Sequence, residues 1–190
     1  LLNEISNWNG DFDKNQYIPL IAQHWVFEIL EHAMLDEMGE ELWEAYQQTH
    51  TYKVAIEHLI MNENSPWWDD VNTEEKETRT QIIQHAFQES MSALREYWGE
   101  DFTKWKWGDA HKLTHPHAMG TALRFLNVGP FTADGGNEVI NNMGFVSSNS
   151  KMQEVLFGPS TRRIVDFNDV RNNSWSILPT GQSGNYFSPY

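Results

Sequence analysis

At 190 residues, with 39% hydrophobic and 21% charged residues, the chain is sized and composed for one globular unit with a buried core, and no apolar run of about 18 residues is present to cross a membrane as a helix. A formal net charge of -14 weighs against nucleic acid and anionic membrane as partners, because phosphate binding needs clustered Lys and Arg and the 13 here are scattered. The lack of cysteine removes disulfides, thiolate catalysis and cysteine metal sites together, while leaving the compartment open. Neither Met nor a charged leader opens the chain, so Leu1 reads as the start of a processed or excised segment.

In chain order, Asp13 with Gln16 is a helix-capping signal, Pro19 fits a first turn, and Ile18, Ile21, Ala22, Trp25 and Ile29 recur at helical spacing up to Gly39. Shorter helices are expected over residues 40–48 and 52–61, before Asn64-Ser65-Pro66 breaks the pattern. Asn72 with Glu75 predicts the start of a further helix whose apolar stripe is Ile83, Phe87, Met91, Leu94 and Trp98, ending at Gly99. From Trp105 the texture changes to short β-type runs, with strands expected at 112–117, 123–127, 138–142, 163–167 and 175–178. The fold class is therefore α+β, a single unit over 1–190 that is mainly helical over 1–104 and mainly strands and turns over 105–190, with helices covering one face of the strands.

Several residues invite chemical readings. His111, His115 and His117 have even spacings that would aim them to one side of a strand, as a zinc site needs; Pro116 interrupts that ladder, so ordinary strand and turn histidines are preferred and no metal ligand is assigned. Ser183 in Gly181-Gln182-Ser183-Gly184 lacks the Gly-x-Ser-x-Gly spacing of a nucleophile elbow, so the glycines read as turn formers. The acids Asp36, Glu37, Glu40 and Glu41, and the pair Asp69 and Asp70, sit along helix ends, where a solvated or dipole-complementing role is preferred to a glycosidase pair. Trp25, Trp43 and Trp98 fall on apolar stripes and read as core, whereas Trp67 and Trp68 together in a flat exposed patch would favour a carbohydrate-binding surface. Asp166, within an otherwise apolar strand, requires a partner: a cross-strand pair with Arg162 or Arg163, a strand-end carboxylate, or a place beside an active site.

Five motifs in order resemble those of the penicillin acylase family of N-terminal nucleophile hydrolases along nearly the whole chain. They are Trp8-x-Gly10 with Asp13; Trp105-Lys106-Trp107-Gly108-x-x-His111 with His115-Pro116; Gly135-Gly136-Asn137-Glu138-Val139-Ile140-Asn141; Gly158-Pro159-Ser160-Thr161-Arg162-Arg163-Ile164-Val165-Asp166; and Leu178-Pro179-Thr180-Gly181-Gln182-Ser183-Gly184 running into Ser188-Pro189. The resemblance implies that the chain is a fragment, the C-terminal part of a β-chain, of an αββα sandwich whose precursor cuts itself into α- and β-chains. It also implies hydrolysis of a non-peptide amide through an acyl-enzyme. In that chemistry an N-terminal Ser attacks while its own α-amino group serves as base. Leu1 cannot act so, Gly120-Thr121 lacks the family context, and no nucleophile is assigned within the chain.

By the same resemblance, Asp166 matches an acidic position that orients a His near the nucleophile, whereas Asn141 and the 181–184 loop read as structural. The implied partners are the α-chain and the N-terminal part of the β-chain of the same precursor, and a small acylated amine such as a β-lactam side chain or an acyl-homoserine lactone. The implied location is periplasmic or secreted. No cofactor is identifiable in this segment, and a structural calcium would lie elsewhere in the parent. The rival from another class is a non-catalytic module that binds a carbohydrate or cationic partner through Trp and acidic residues; a third reading is a degenerate relative retained for interaction.

Overall fold

The computed structural model describes residues 1–49 and 51–179. Helices come first, as α1 (Leu2–Ser6), α2 (Ile18–Met38), α3 (Glu40–Gln47), α4 (Thr51–Met61), α5 (Arg79–Trp98) and α6 (Trp107–Ala110), followed by strands β1 (Lys112–His115), β2 (Val128–Thr132), β3 (Arg162–Val165) and β4 (Ser174–Ile177). The α+β class and its order, helices and then antiparallel strands, are as the sequence predicts.

The organising element is α2. Pro19 occupies its first turn, where a missing N–H costs nothing, and Gly39 stops it with φ of 72°. The helix is apolar on more than one side because it serves two clusters. Leu20 and Ile21 pack with Met91, Leu94, Trp105, Trp107 and Phe145, whereas Phe27, Leu30, Ala33 and Met34 pack with Trp43, Leu59, Trp68, Ile82 and Ala86. The α5 partners run in the opposite chain direction, so α2 and α5 lie antiparallel. The expected α5 stripe is offset: Ile82, Ala86, Ser90, Met91 and Leu94 are buried, while Ile83, Phe87 and Trp98 pack at the margin.

The start of α5 differs from expectation. Thr78, not Asn72, is the N-cap, in a full capping box in which the Gln81 amide donates to Thr78 Oγ1 at 3.4 Å and the Thr78 amide donates to Gln81 Oε1 at 3.0 Å. Residues 69–77 are instead held as a loop by carboxylates: Glu77 Oε2 accepts from the Asp70 amide, Asp69 Oδ1 from the Glu77 amide, Asp70 Oδ1 from the Asn72 amide, and Asp36 Oδ2 from the Val71 amide at 2.7 Å. Asp36, Asp69 and Asp70 thus act as loop braces, not as freely solvated charges. Asp13 likewise closes a local turn by accepting from the Asn15 amide, and α2 begins at Ile18 without it.

Among the described residues the strands form two separate antiparallel pairs, not one sheet under a helical cover. β1 and β2 pair Lys112 with Thr132, Leu113 with Phe131 and His115 with Val128, with a register shift between Leu113 and His115. β1 ends before Pro116, which cannot donate to the ladder. The expected strand over 123–127 is a 3-10 turn at Arg124–Leu126, and the paired segment begins just after it. The expected strand over 138–142 is a loop: Glu138 has φ of 57°, and Gly136 and Asn142 make only an isolated bridge. β3 and β4 pair Arg162 with Ile177 through Val165 with Ser174, close to the expected runs.

Candidate functional site

The motif residues interlock into one polar and aromatic knot. The Trp107 and Gly108 amides donate to the Gln16 and Lys14 carbonyls at 2.7 and 2.8 Å, and the Lys14 amide and Nζ return to the Asp134 carboxylate at 2.8 and 3.2 Å. The backbone amide of Lys14 is the foremost influence holding the Asp134 carboxyl below its ordinary range. The Trp107 indole donates to the Gly135 carbonyl at 2.8 Å, and its ring contacts Phe12 and Phe145 edge-on. Asn137 grips Phe145 by both backbone groups, and Asn141 donates to the Asp134 carbonyl and accepts from Arg162. Asn141 thus satisfies its neighbours from a loop, and not from the strand expected of it. Gly108 is required by close approach, since a Cβ there would stand 2.8 Å from Lys14 Cβ and 2.9 Å from Thr132 Cβ.

The three sequence histidines do not converge. His111 is fully buried, stacked on Trp107 at 4.5 Å between centroids, and its Nδ1 lies 2.7 Å from the Gln153 carbonyl, which makes Nδ1 the donor of that bond. Burial lowers its pKa, because the charged ring is disfavoured away from water. His117 is exposed, with Nδ1 accepting from the Met119 amide at 3.0 Å, and His115 ends β1.

Asp166 follows the last residue of β3 and closes the β3–β4 connection, accepting from the Asn168 amide at 2.9 Å and from Asn173 Nδ2 at 3.5 Å. Of the readings left open for it, the strand-end carboxylate describes these bonds. Ser183 and the Gly181–Gly184 turn lie outside the described residues.

Tryptophan placement separates the rival readings. Trp43, Trp68, Trp105 and Trp107 are buried, and their indole N–H groups donate to Glu31, Asn62, Gly99 and Gly135 inside the chain. Trp25 donates to the Ile83 carbonyl while packing on Phe87. Trp67 is 38% exposed beside a Trp68 that is 2% exposed, so the pair makes no flat stacking platform. A cleft of about 360 Å³ between α4 and the Pro66 turn is walled by Met34, Ala55, Leu59 and Trp67 and carries one titratable side chain, His58, so it offers no acid–base pair.

Titratable groups do gather along the α2–α5 seam, where the sequence reading placed none. His24 Nδ1 is 3.2 Å from Ser90 Oγ and 3.5 Å from Glu28 Oε1, all three buried. Burial, reinforced by the Lys151 charge, pushes His24 down to about 4; burial, reinforced by Glu31 and Glu89, pushes Glu28 up to about 7. At neutral pH His24 is uncharged, so its contact with Glu28 is not an ion pair. Further along, His32 Nε2 meets Glu89 Oε2 at 3.0 Å, and His85 Nε2 meets Glu89 Oε1 at 3.4 Å. The available sequence signal was a His and a Glu four residues apart on each of two predicted helices, Glu28 with His32 and His85 with Glu89.

Comparison with known proteins adds to this geometry. The penicillin amidase family profile matches residues 2–190. Curated relatives include acyl-homoserine lactone acylase QuiP of Pseudomonas fluorescens (strain Pf0-1), 31% identical over 190 aligned residues that cover 96% of this chain and 22% of that protein. QuiP of Pseudomonas syringae pv. syringae (strain B728a) is 32% identical over 165 residues, covering 82% and 20%. QuiP of Pseudomonas aeruginosa PAO1 is 27% identical over 178 residues, again covering 82% and 20%. The chain spans about a fifth of the length of these relatives.

Proposed function

The chain belongs to the penicillin amidase family, and from that premise we propose that it is a structural share of a longer amidohydrolase that removes the acyl group from a small acylated amine. The observation that carries this reading is the family match along the whole chain. The β3–β4 ladder supports it, because one of its faces is apolar and open: Ile164, Trp175 and Ile177, which the register places on the same side, are 64–71% exposed. A two-stranded ladder is at best marginally stable alone, and an open apolar face calls for further strands and a covering layer. In this reading the α-chain and the earlier β-chain of the same precursor supply them and complete an αββα sandwich.

The reaction is acyl transfer to an N-terminal Ser contributed by the remainder of the precursor after self-cleavage, with its α-amino group as base, followed by hydrolysis of the acyl-enzyme. Among acylated amines, the acyl-homoserine lactones are favoured over β-lactam side chains by the activity for which the relatives are named. Asp166 would act as a positioning residue for a His of the remainder, and a periplasmic or secreted location and a structural calcium in the remainder belong to the same reading. The binding-module alternative loses its Trp67–Trp68 platform, since Trp68 is buried.

The test is hydrolysis of long-chain acyl-homoserine lactones and chromogenic phenylacetyl amides by the 190-residue chain and by the full-length precursor, with self-cleavage followed by mass. A precursor that cleaves itself and turns over, beside an inert 190-residue chain, is the expected result. Activity of the chain alone would place the nucleophile within it, and an uncleaved, inactive precursor would transfer the family assignment to a degenerate, interacting relative. For Asp166, Asp166→Asn in the processed enzyme should change the pH profile of kcat with KM held; an unaltered profile removes it from the site.

A further inference from the structure

We propose that His32, His85 and Glu89 form a binding site for a zinc-class divalent cation that ties α2 to α5. The three side chains come from two antiparallel helices, and one ligand atom from each lies within 4.8 Å of the other two. Two donors on a tetrahedral zinc ion with bonds near 2.0–2.1 Å stand about 3.4 Å apart. The observed separations are 3.0 Å for His32 to Glu89 and 3.4 Å for His85 to Glu89, one just below that spacing and one at it. The two imidazole rings lie 4.7 Å apart, tilted by 44°, with both Nε2 atoms directed at one carboxylate, each at a different oxygen.

The helical register explains the convergence. His85 and Glu89 are four residues apart on α5, one turn of the same face, and His32 stands opposite them on α2. Paired His and Glu positions on facing helices are the way helical bundles build metal sites. The donor set is two imidazoles and one carboxylate, which suits zinc and its transition-metal neighbours and disfavours calcium, an ion that prefers oxygen throughout. Glu28 Oε2 lies 4.0 Å from His32 Nε2 on the buried side.

The cluster needs little rearrangement to take the ion. As it stands, the Glu89 carboxylate accepts from His32 Nε2 at 3.0 Å, and His85 Nε2 stands 3.4 Å from its other oxygen; with the ring proton carried on Nδ1, each Nε2 lone pair is free for the cation. Side-chain exposures of 25% for His32, 53% for His85 and 52% for Glu89 leave the outer side open for water to complete the coordination. This inference stands on the seam alone and is independent of the acylase reading.

The experiment titrates zinc into the chelator-stripped, full-length protein against a chromogenic zinc indicator, comparing it with His85→Ala/Glu89→Gln and with His58→Ala on α4 as control. Both target side chains are half exposed, so their replacement leaves the core intact, as circular dichroism will report. The wild type and His58→Ala should bind one equivalent more than the double variant, and zinc should raise Tm only in those two. Equal stoichiometry and equal affinity in all three would overturn the site. Anomalous scattering at the zinc edge from wild-type crystals grown with zinc gives a second reading that no folding defect can obscure: a peak among His32, His85 and Glu89 is expected, and its absence there refutes the proposal.

Discussion

His24 of α2 and Ser90 of α5 meet at 3.2 Å with 1% and 0% of their surfaces exposed, which puts a polar contact at the centre of the helix pair that carries both hydrophobic clusters. Glu28 lies one turn along from His24, and the two groups are displaced in opposite senses, to about 4 for His24 and about 7 for Glu28.

These shifts give the seam a pH signature. For His24 the unfolded chain binds the extra proton between about 4 and 6.5, so its contribution is present above 6.5 and is lost as pH falls through 4. For Glu28 the folded chain binds the extra proton between 4.5 and about 7, so its contribution is present below 4.5 and is lost as pH rises through 7. Each is worth on the order of 3 kcal/mol, and between pH 4.5 and 6.5 they oppose one another. Relative to wild type, Glu28→Gln should make urea stability climb more steeply with pH across that window, and His24→Asn should make it climb less or fall. Parallel profiles in all three proteins would show that neither group is displaced.

The start of α5 can be tested by its cap. Thr78→Ala removes the side-chain acceptor for the Gln81 amide and should cost about 1 kcal/mol of unfolding free energy. Asn72→Ala, six residues earlier, removes only a side-chain bond to Asp70 and should stay within about 0.5 kcal/mol. The reverse order in chemical denaturation would return the helix start to Asn72.

Gly108→Ala drives a methyl group against Lys14 Cβ and Thr132 Cβ, both under 3 Å away. Overpacking of this kind costs about 1–3 kcal/mol. Because Lys14 leads into α2 and Thr132 closes β2, the chemical shifts of both flanking segments should move; a wild-type melting curve would mean the contact relaxes freely.

Trp107→Phe keeps most of the ring packing and deletes the indole N–H that satisfies the Gly135 carbonyl. Leaving that buried acceptor unpaired should cost about 1–3 kcal/mol, more than Trp67→Phe on the exposed rim, where the change should be within about 0.5 kcal/mol. Equal melting temperatures would remove the bond from the account.

Helices were legible because their signals are local. The Gly39 and Gly99 stops and the stripe through Met91 and Leu94 need only the next turn to be read. The α5 start was misplaced because Asn72 with Glu75 and Thr78 with Gln81 are both capping signals, and the loop that precedes Thr78 is held in part by Asp36, 35 residues from the Val71 amide it accepts from. The strand over 138–142 failed for a related reason: Asn137 and Asn141 spend their side chains on Phe145 and Asp134, so the segment is fastened as a loop before any ladder can take it. The seam histidines were readable as spaced pairs on two separate helices, but only the antiparallel packing of those helices brings the pairs together.

The double use of α2 has a consequence for how the chain comes apart. Its 21 residues, a rod of about 31 Å, are gripped near the start by one cluster and through the middle and end by the other. Losing either grip unwinds the backbone on which the other rests, so amide protons at Ile21 and Ala33, remote in sequence, should exchange with deuterium through one shared opening event, at a common rate-limiting step and with the same denaturant sensitivity.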